Sequence, residues 1–245
     1  MNVLEITDLT TGYLRAPVLR DVTITVADEI VAVLGANGAG KTTLLRAVSG
    51  TLRTWSGTIT VAGTDLRRSS PWHRARLGVA HVPEGRHTFG AMSVRDNLDV
   101  AGLVGRRRGA PISRDDVFEL FPRLGERRDQ LAGSMSGGEQ QMLVIGRALM
   151  TGPGLLLVDE MSAGLAPVTA RQLVESLRTI HRELGIAMLL VEQSPHLIAD
   201  VVDRVYVLER GSTTAAGSVD EIGGADGLAA VYLGAGDHTD PKELR

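Results

Sequence analysis

EIVAVLGANGAGKTTLLRAVS, residues 29–49, opens with the apolar run Ile30-Val31-Ala32-Val33-Leu34. That run is too short for a helix and rich in β-branched residues, which predicts a buried strand. Gly35-Ala36-Asn37-Gly38-Ala39-Gly40-Lys41-Thr42 follows, a complete G-x-x-x-x-G-K-[ST], and Leu44, Leu45 and Val48 then recur at helical spacing. Strand, glycine loop and helix in that order are the context a phosphate-binding loop requires. The glycines let backbone N–H groups turn inward around phosphate oxygens, and the helix N-terminus adds its positive dipole end. Lys41 is expected to reach the β- and γ-phosphates of a nucleotide such as ATP, with Thr43 beside the cradle, and the Thr42 hydroxyl to hold Mg²⁺. In a chain of this composition the motif arises by chance about 0.004 times. Lysine usage points the same way: of 26 basic residues only Lys41 and Lys242 are lysine. A lone interior lysine among arginines suggests a need for a compact ammonium.

Composition sets the bounds. With 245 residues the chain can bury a sizeable core as one large domain, or as a core with an inserted subdomain. A net charge of −3 gives no reason to expect nucleic acid as a partner. No apolar stretch approaches a membrane span of roughly 18 residues, and MNVLEITDLT has no basic or long apolar region, so no signal peptide is expected. The absence of cysteine excludes disulfides and thiolate metal sites and fits the cytoplasm. The six histidines are scattered, so a metal held by side chains alone is not expected.

Upstream of the loop, Val3–Leu9 and Val22–Val26 alternate apolar and polar residues, as strands of an antiparallel flap do. Between them Thr11-Gly12-Tyr13 reads as a turn. Tyr13 either presents a platform for stacking on adenine or covers the sheet, and the residues alone do not choose. Downstream, 57–61 and 77–82 read as strands, and Pro83-Glu84-Gly85-Arg86 ends the regular pattern. From Ser93 to Met135 the periods become helical, which reads as a helical insertion, with Arg106-Arg107-Arg108 as a solvated loop in its middle. Ser134 to Gln141, SMSGGEQQ, is a second glycine loop that begins a helix running to Met150. Ser136 and Glu139 have capping-box spacing. Gly137-Gly138 bring no helix propensity, so they imply a close approach to the backbone, such as an anion at the dipole end. Leu155 to Glu160, LLLVDE, is a buried strand with two carboxylates at its C-terminal end, where ligands sit in open α/β sheets. With the phosphate loop upstream, Asp159 is placed to hold Mg²⁺ and Glu160 to deprotonate an attacking water. After a helix over 168–184 and a strand over 186–191 comes Gln193, a polar group where a γ-phosphate or water lies. A closing hairpin over 205–215 and a tail from Ser218 that frays complete the chain.

This order of aromatic, phosphate loop, helical insertion, S-G-G signature, acid-ended strand and final polar switch resembles the ATP-binding subunits of ABC transporters over residues 3–217. The resemblance implies an α/β P-loop NTPase fold with a mixed central sheet, an antiparallel β flap and a helical subdomain. The core is then 1–92 and 136–217, the helical subdomain 93–135 and the tail 218–245. It also implies a head-to-tail dimer around two ATP molecules, each held by Lys41 and its loop from one subunit and by Ser136, Gly137 and Gly138 from the other.

Several positions depart from the broad pattern. Glu84 stands where a Gln usually contacts Mg²⁺ and the lytic water, Glu139 replaces the signature Gln, Ala166 replaces an Asp, and Gln193 replaces the switch His. The strings V-P-E-G-R, S-G-G-E-Q-Q-M-L, G-L-A-P and L-V-E-Q are nevertheless similar to one subgroup, the LivF-type subunits of branched-chain amino acid importers. Met161, where that subgroup mostly has Pro, and Pro195 depart from it. The subgroup implies a second ATPase subunit (LivG-like) or a homodimer. It also implies two transmembrane permease subunits, an extracytoplasmic substrate-binding protein and a place at the cytoplasmic face of the membrane. Urea, amide or other amino acid uptake, lipid or polysaccharide export and soluble ABC ATPases remain alternatives at this level.

Overall fold

The computed structural model describes residues 2–107 and 112–236. Strand β1 (Leu4–Tyr13) and strand β2 (Ala16–Val26) form a hairpin, and β3 (Ile30–Leu34) leads through the glycine loop into helix α1 (Lys41–Ser49). Next come β4 (Ser56–Val61), β5 (Thr64–Asp65), α2 (Pro71–Arg76) and β6 (Val79–Val82). Helices α3 (Val94–Arg107), α4 (Arg114–Leu120) and α5 (Pro122–Glu126) then precede α6 (Gly137–Leu149). The chain continues with β7 (Leu155–Asp159), α7 (Pro167–Leu184), β8 (Ala187–Glu192), α8 (Pro195–Ile198), β9 (Arg204–Glu209) and β10 (Ser212–Ser218). Helices α9 (Val219–Ile222) and α10 (Gly224–Gly236) complete it.

Two sheets result. An antiparallel sheet has the order β2-β1-β4-β5, and a six-stranded sheet has the order β10-β9-β3-β8-β7-β6. In the latter, β3, β6, β7, β8 and β9 are parallel and β10 is an antiparallel edge, so the sheet is mixed. Every residue of β3, β7 and β8 is buried because both faces are covered. Alternation divides their side chains between two cores. Ile30, Ala32 and Leu34 pack with α3, α6 and α7 on one face, while Val31 and Val33 pack with α1 and the antiparallel sheet on the other. Each fully buried Val, Ile or Leu contributes about 1.5–3 kcal/mol relative to exposure. The strand carrying the phosphate loop is thus held centrally from both sides.

Four local readings change. Thr11-Gly12-Tyr13 is not a turn but the end of β1, since Gly12 pairs with Pro17 and Tyr13 with Ala16, and the turn is Leu14-Arg15. Leu77 caps α2, a six-residue helix that starts behind Ser70 and Pro71, rather than beginning β6. Helix α3 continues through Arg107, where a loop was expected; Arg108 lies outside the described residues. The stretch after Ser218 is helical to Gly236 rather than frayed. Ser218 and Glu221 form a reciprocal cap, and Leu228 is buried in the main core.

Candidate active site

The phosphate loop is shaped by its own backbone. The Ala39 N–H donates to Ala36 O at 3.1 Å and the Leu44 N–H to Gly40 O at 2.9 Å, which turns the chain into α1. Gly38 and Gly40 have φ of 82° and 109°, in the left-handed region where glycine carries no steric penalty. Lys41, 4% exposed, donates from Nζ to Gly35 O at 2.6 Å and Ala36 O at 3.2 Å, and pairs with Glu160 Oε1 at 3.2 Å. A phosphate that Lys41 engages therefore competes with two loop carbonyls and one carboxylate.

The end of β7 completes this cluster. Glu160 lies one residue past the strand at φ 40°, its N–H donating to Val191 O at 2.9 Å. Its Oε2 accepts from Nε2 of Gln193, which sits just beyond β8. Asp159 is 1% exposed; its Oδ1 accepts from the Thr42 hydroxyl at 3.2 Å, and its Oδ2 has no hydrogen-bond partner. Burial pushes the Asp159 carboxyl up to about 6, the Thr42 bond opposes this, and repulsion from Glu160 and Glu84 adds to it. A buried carboxylate oxygen without a donor, beside a threonine hydroxyl, is an all-oxygen donor set that suits Mg²⁺. These residues fit the ion.

Glu84 is exposed beyond β6. Together with Gly85, Arg86, His87, Gln141, Ala163 and Glu160 it lines a cavity of about 410 Å³. The structure thus brings Lys41, Glu160 and Gln193 into direct contact and, beside them, Thr42 and Asp159, with Glu84 on the rim. Tyr13 stands at the tip of the β1–β2 hairpin, 41% exposed, its hydroxyl accepting from Arg46 of α1 at 3.0 Å. The hairpin is thereby tied to the helix that the loop begins.

Ser136, Gly137 and Gly138 make their contacts elsewhere. Ser136 caps α6, its N–H donating to Glu139 Oε2 at 2.9 Å, while Glu139 Oε1 pairs with Arg127 at 3.0 Å. A Cβ on Gly137 would lie 2.5 Å from the Arg86 guanidinium, and one on Gly138 would lie 2.3 Å from Thr169 Cγ2. The close approach implied by the glycines is made here by side chains of the same chain.

Sequence reading passed over three residues. Glu192, 3% exposed, accepts from the Ser162 hydroxyl at 2.8 Å and its N–H at 3.3 Å, fixing the segment after Glu160. Burial pushes its carboxyl up against those bonds. Gln141, also buried, donates to Met161 O at 3.0 Å and so ties the signature helix to the same segment. Arg46 shows no motif at all. An acid at the end of an apolar strand was the available signal for Glu192.

Residues 19–163 match the family model described as ABC transporter. The chain is 44% identical over 210 residues to the high-affinity branched-chain amino acid transport ATP-binding protein BraG of Pseudomonas aeruginosa, covering 85% of this chain and 90% of BraG. It is 32% identical over 239 residues to the lipopolysaccharide export ATP-binding protein LptB of Haemophilus influenzae, covering 96% and 98%. A solved ATP-binding cassette of an ABC transporter in its ADP conformation superposes with a TM-score of 0.80 at 25% identity, covering 99% of this chain and 96% of that one. A loop, acid-ended strand and mixed sheet of this geometry, matched over most of their length, place the chain in the ABC transporter family as one of its ATP-binding ATPase subunits.

Proposed function

We propose that this chain hydrolyses ATP to power an ABC importer of branched-chain amino acids. ATP-binding subunits of this family work as dimers with membrane permease subunits. The observation that carries the ATPase part is the joined cluster of Lys41, Glu160 and Gln193 beside Thr42 and Asp159. The substrate class rests on the 44% identity to BraG, against 32% to a lipopolysaccharide exporter subunit.

In this reading Gly35 to Thr43 cradle the phosphates and Lys41 neutralises the terminal ones, while Tyr13 stacks on the adenine. Thr42, Asp159 and Glu84 hold Mg²⁺. When bound, that ion offsets phosphate charge and aligns the terminal oxygens for in-line attack. Glu160 takes a proton from the water whose oxygen attacks the γ-phosphorus as the bond to the bridging oxygen breaks. Gln193 orients Glu160 and the water, but as a neutral amide it adds no positive charge. Ser136 to Gly138 receive the nucleotide held by a partner, either a LivG-like subunit or a second copy. Two permeases and an extracytoplasmic binding protein complete the importer, with this chain at the cytoplasmic face. In support, no helix among the described residues is long and apolar enough to cross a membrane.

The test is reconstitution with the partner ATPase, permeases and binding protein in proteoliposomes. Leucine uptake and leucine-stimulated ATP hydrolysis are expected, and Glu160→Gln is expected to retain ATP binding while hydrolysis stops. Turnover surviving in Glu160→Gln removes Glu160 as the base. Intact ATPase without leucine uptake overturns the substrate class.

A further inference from the structure

At the far end of α1 from the phosphate loop lies a cavity of about 800 Å³, walled by residues 50–57 and 67–71 together with Arg74. That size is within the range of ligand sites. The nine residues of α1 set it roughly 13 Å along the helix axis from Lys41, and it shares no lining residue with the cluster around Glu160. None of its wall residues is acidic, and Arg53, Arg67, Arg68 and Arg74 all line it. The concentration is local: residues 46–76 hold six arginines and one acid, Asp65, in a chain whose net charge is −3.

The four arginines differ in what they are free to do. Arg74 is 3% exposed and its guanidinium is engaged by the carbonyls of Ala47, Val48, Leu66 and Ser69 at 2.5–3.2 Å. Two of these are C-terminal carbonyls of α1, so Arg74 cancels part of the negative helix end that would repel an anion. Arg67 pairs with Asp65 at 2.6 Å. Arg53 and Arg68 are exposed, and among the described residues neither has an ion pair or a side-chain hydrogen bond. Two other wall residues, Thr54 and Ser69, have hydroxyls shut off from solvent and without a partner among the described residues.

We propose that this cavity binds a phosphate-bearing anion, with Arg53 and Arg68 as charged clamps. Two guanidinium forks present more donors than the two oxygens of a carboxylate can accept, whereas a phosphate group has further oxygens to receive them. A soluble phosphorylated compound and a phospholipid headgroup share this chemistry.

The molecule contains its own reporter. Its two tryptophans are Trp55, which lines the cavity, and Trp72 on α2. Trp72→Phe leaves Trp55 as the sole emitter, and adding Lys41→Ala disables the phosphate loop. Pyrophosphate should change Trp55 emission saturably in both proteins, and Arg53→Ala with Arg68→Ala should raise the apparent Kd roughly tenfold or more. Both arginines are exposed and unpaired, so the double variant should keep its thermal midpoint. Flotation with phosphatidylglycerol–phosphatidylcholine vesicles separates the sources. Arginine-dependent pyrophosphate binding without vesicle binding assigns a soluble ligand, and arginine-dependent retention on the vesicles assigns a headgroup. Absence of a saturable change with both probes overturns the proposal. So does a response that persists in the double-arginine variant, or one lost on Lys41→Ala at an unchanged thermal midpoint.

Discussion

Asp159→Asn should make the nucleotide-free protein more stable while abolishing its hydrolysis. Asp159 is 1% exposed, one of its oxygens lacks a donor, and its carboxyl is pushed from 3.8 up to about 6. A native value above the unfolded one means that the folded state resists ionisation. The cost is therefore fully present above pH 6, declines as pH falls, and is absent below 3.8. At about 1.4 kcal/mol per pH unit, the ionised carboxylate costs the fold about 3 kcal/mol at pH 7.5 and about half that at pH 5. Asn keeps an oxygen for the Thr42 hydroxyl and carries no charge. Urea unfolding without nucleotide or Mg²⁺ should show Asp159→Asn more stable by about 3 kcal/mol at pH 7.5, with the gap halved at pH 5. In a domain of this size that corresponds to roughly 6–12 °C in Tm. Added Mg²⁺ and ATP should narrow the gap by stabilising more strongly the protein that still has the carboxylate. No gain at pH 7.5, or a gain of the same size at both pH values, would refute the reasoning.

Further predictions follow from single features. His81 has a buried Nε2 without a partner, and burial, aided by Arg46, lowers its pKa to about 4. A depressed histidine must stay neutral in the fold, so its stabilising effect is complete above pH 6.5 and lost down to pH 4. Wild type should lose about 3 kcal/mol more than His81→Leu over that window in urea titrations, and equal losses would exclude His81. In the wild type this trend opposes that of Asp159, so only the single variants expose it. Lys41→Ala should weaken ATP binding roughly tenfold or more in a fluorescent-nucleotide titration. Gly211 has φ 87° and a Cβ there would lie 1.9 Å from Val18 O, so Gly211→Ala should lower stability by about 3 kcal/mol in thermal unfolding.

Residues 29–49 were legible because a strand, a glycine loop and a helix start are each written in consecutive residues. The same holds for LLLVDE, where an apolar run and its terminal acids place two carboxylates at the end of a parallel strand. Thr11 to Tyr13 misled because small and aromatic residues suit turns and strands alike, and only pairing with Leu19 to Ala16 makes them strand. The tail misled in a similar way: its alternating Gly, Asp and Ala look loose until Leu228 finds the core.

The sequence by itself determined which groups are candidates for the proposed chemistry, since their types and spacing are local properties. Tertiary structure decided what those groups touch: that Glu160 stands between Lys41 and Gln193, that Arg86 covers Gly137, and that Glu192 holds Ser162. These partners are brought together by the parallel register of β7 with β8 and by packing across the sheet. Such contacts depend on the whole core being folded, and no short stretch of sequence encodes them.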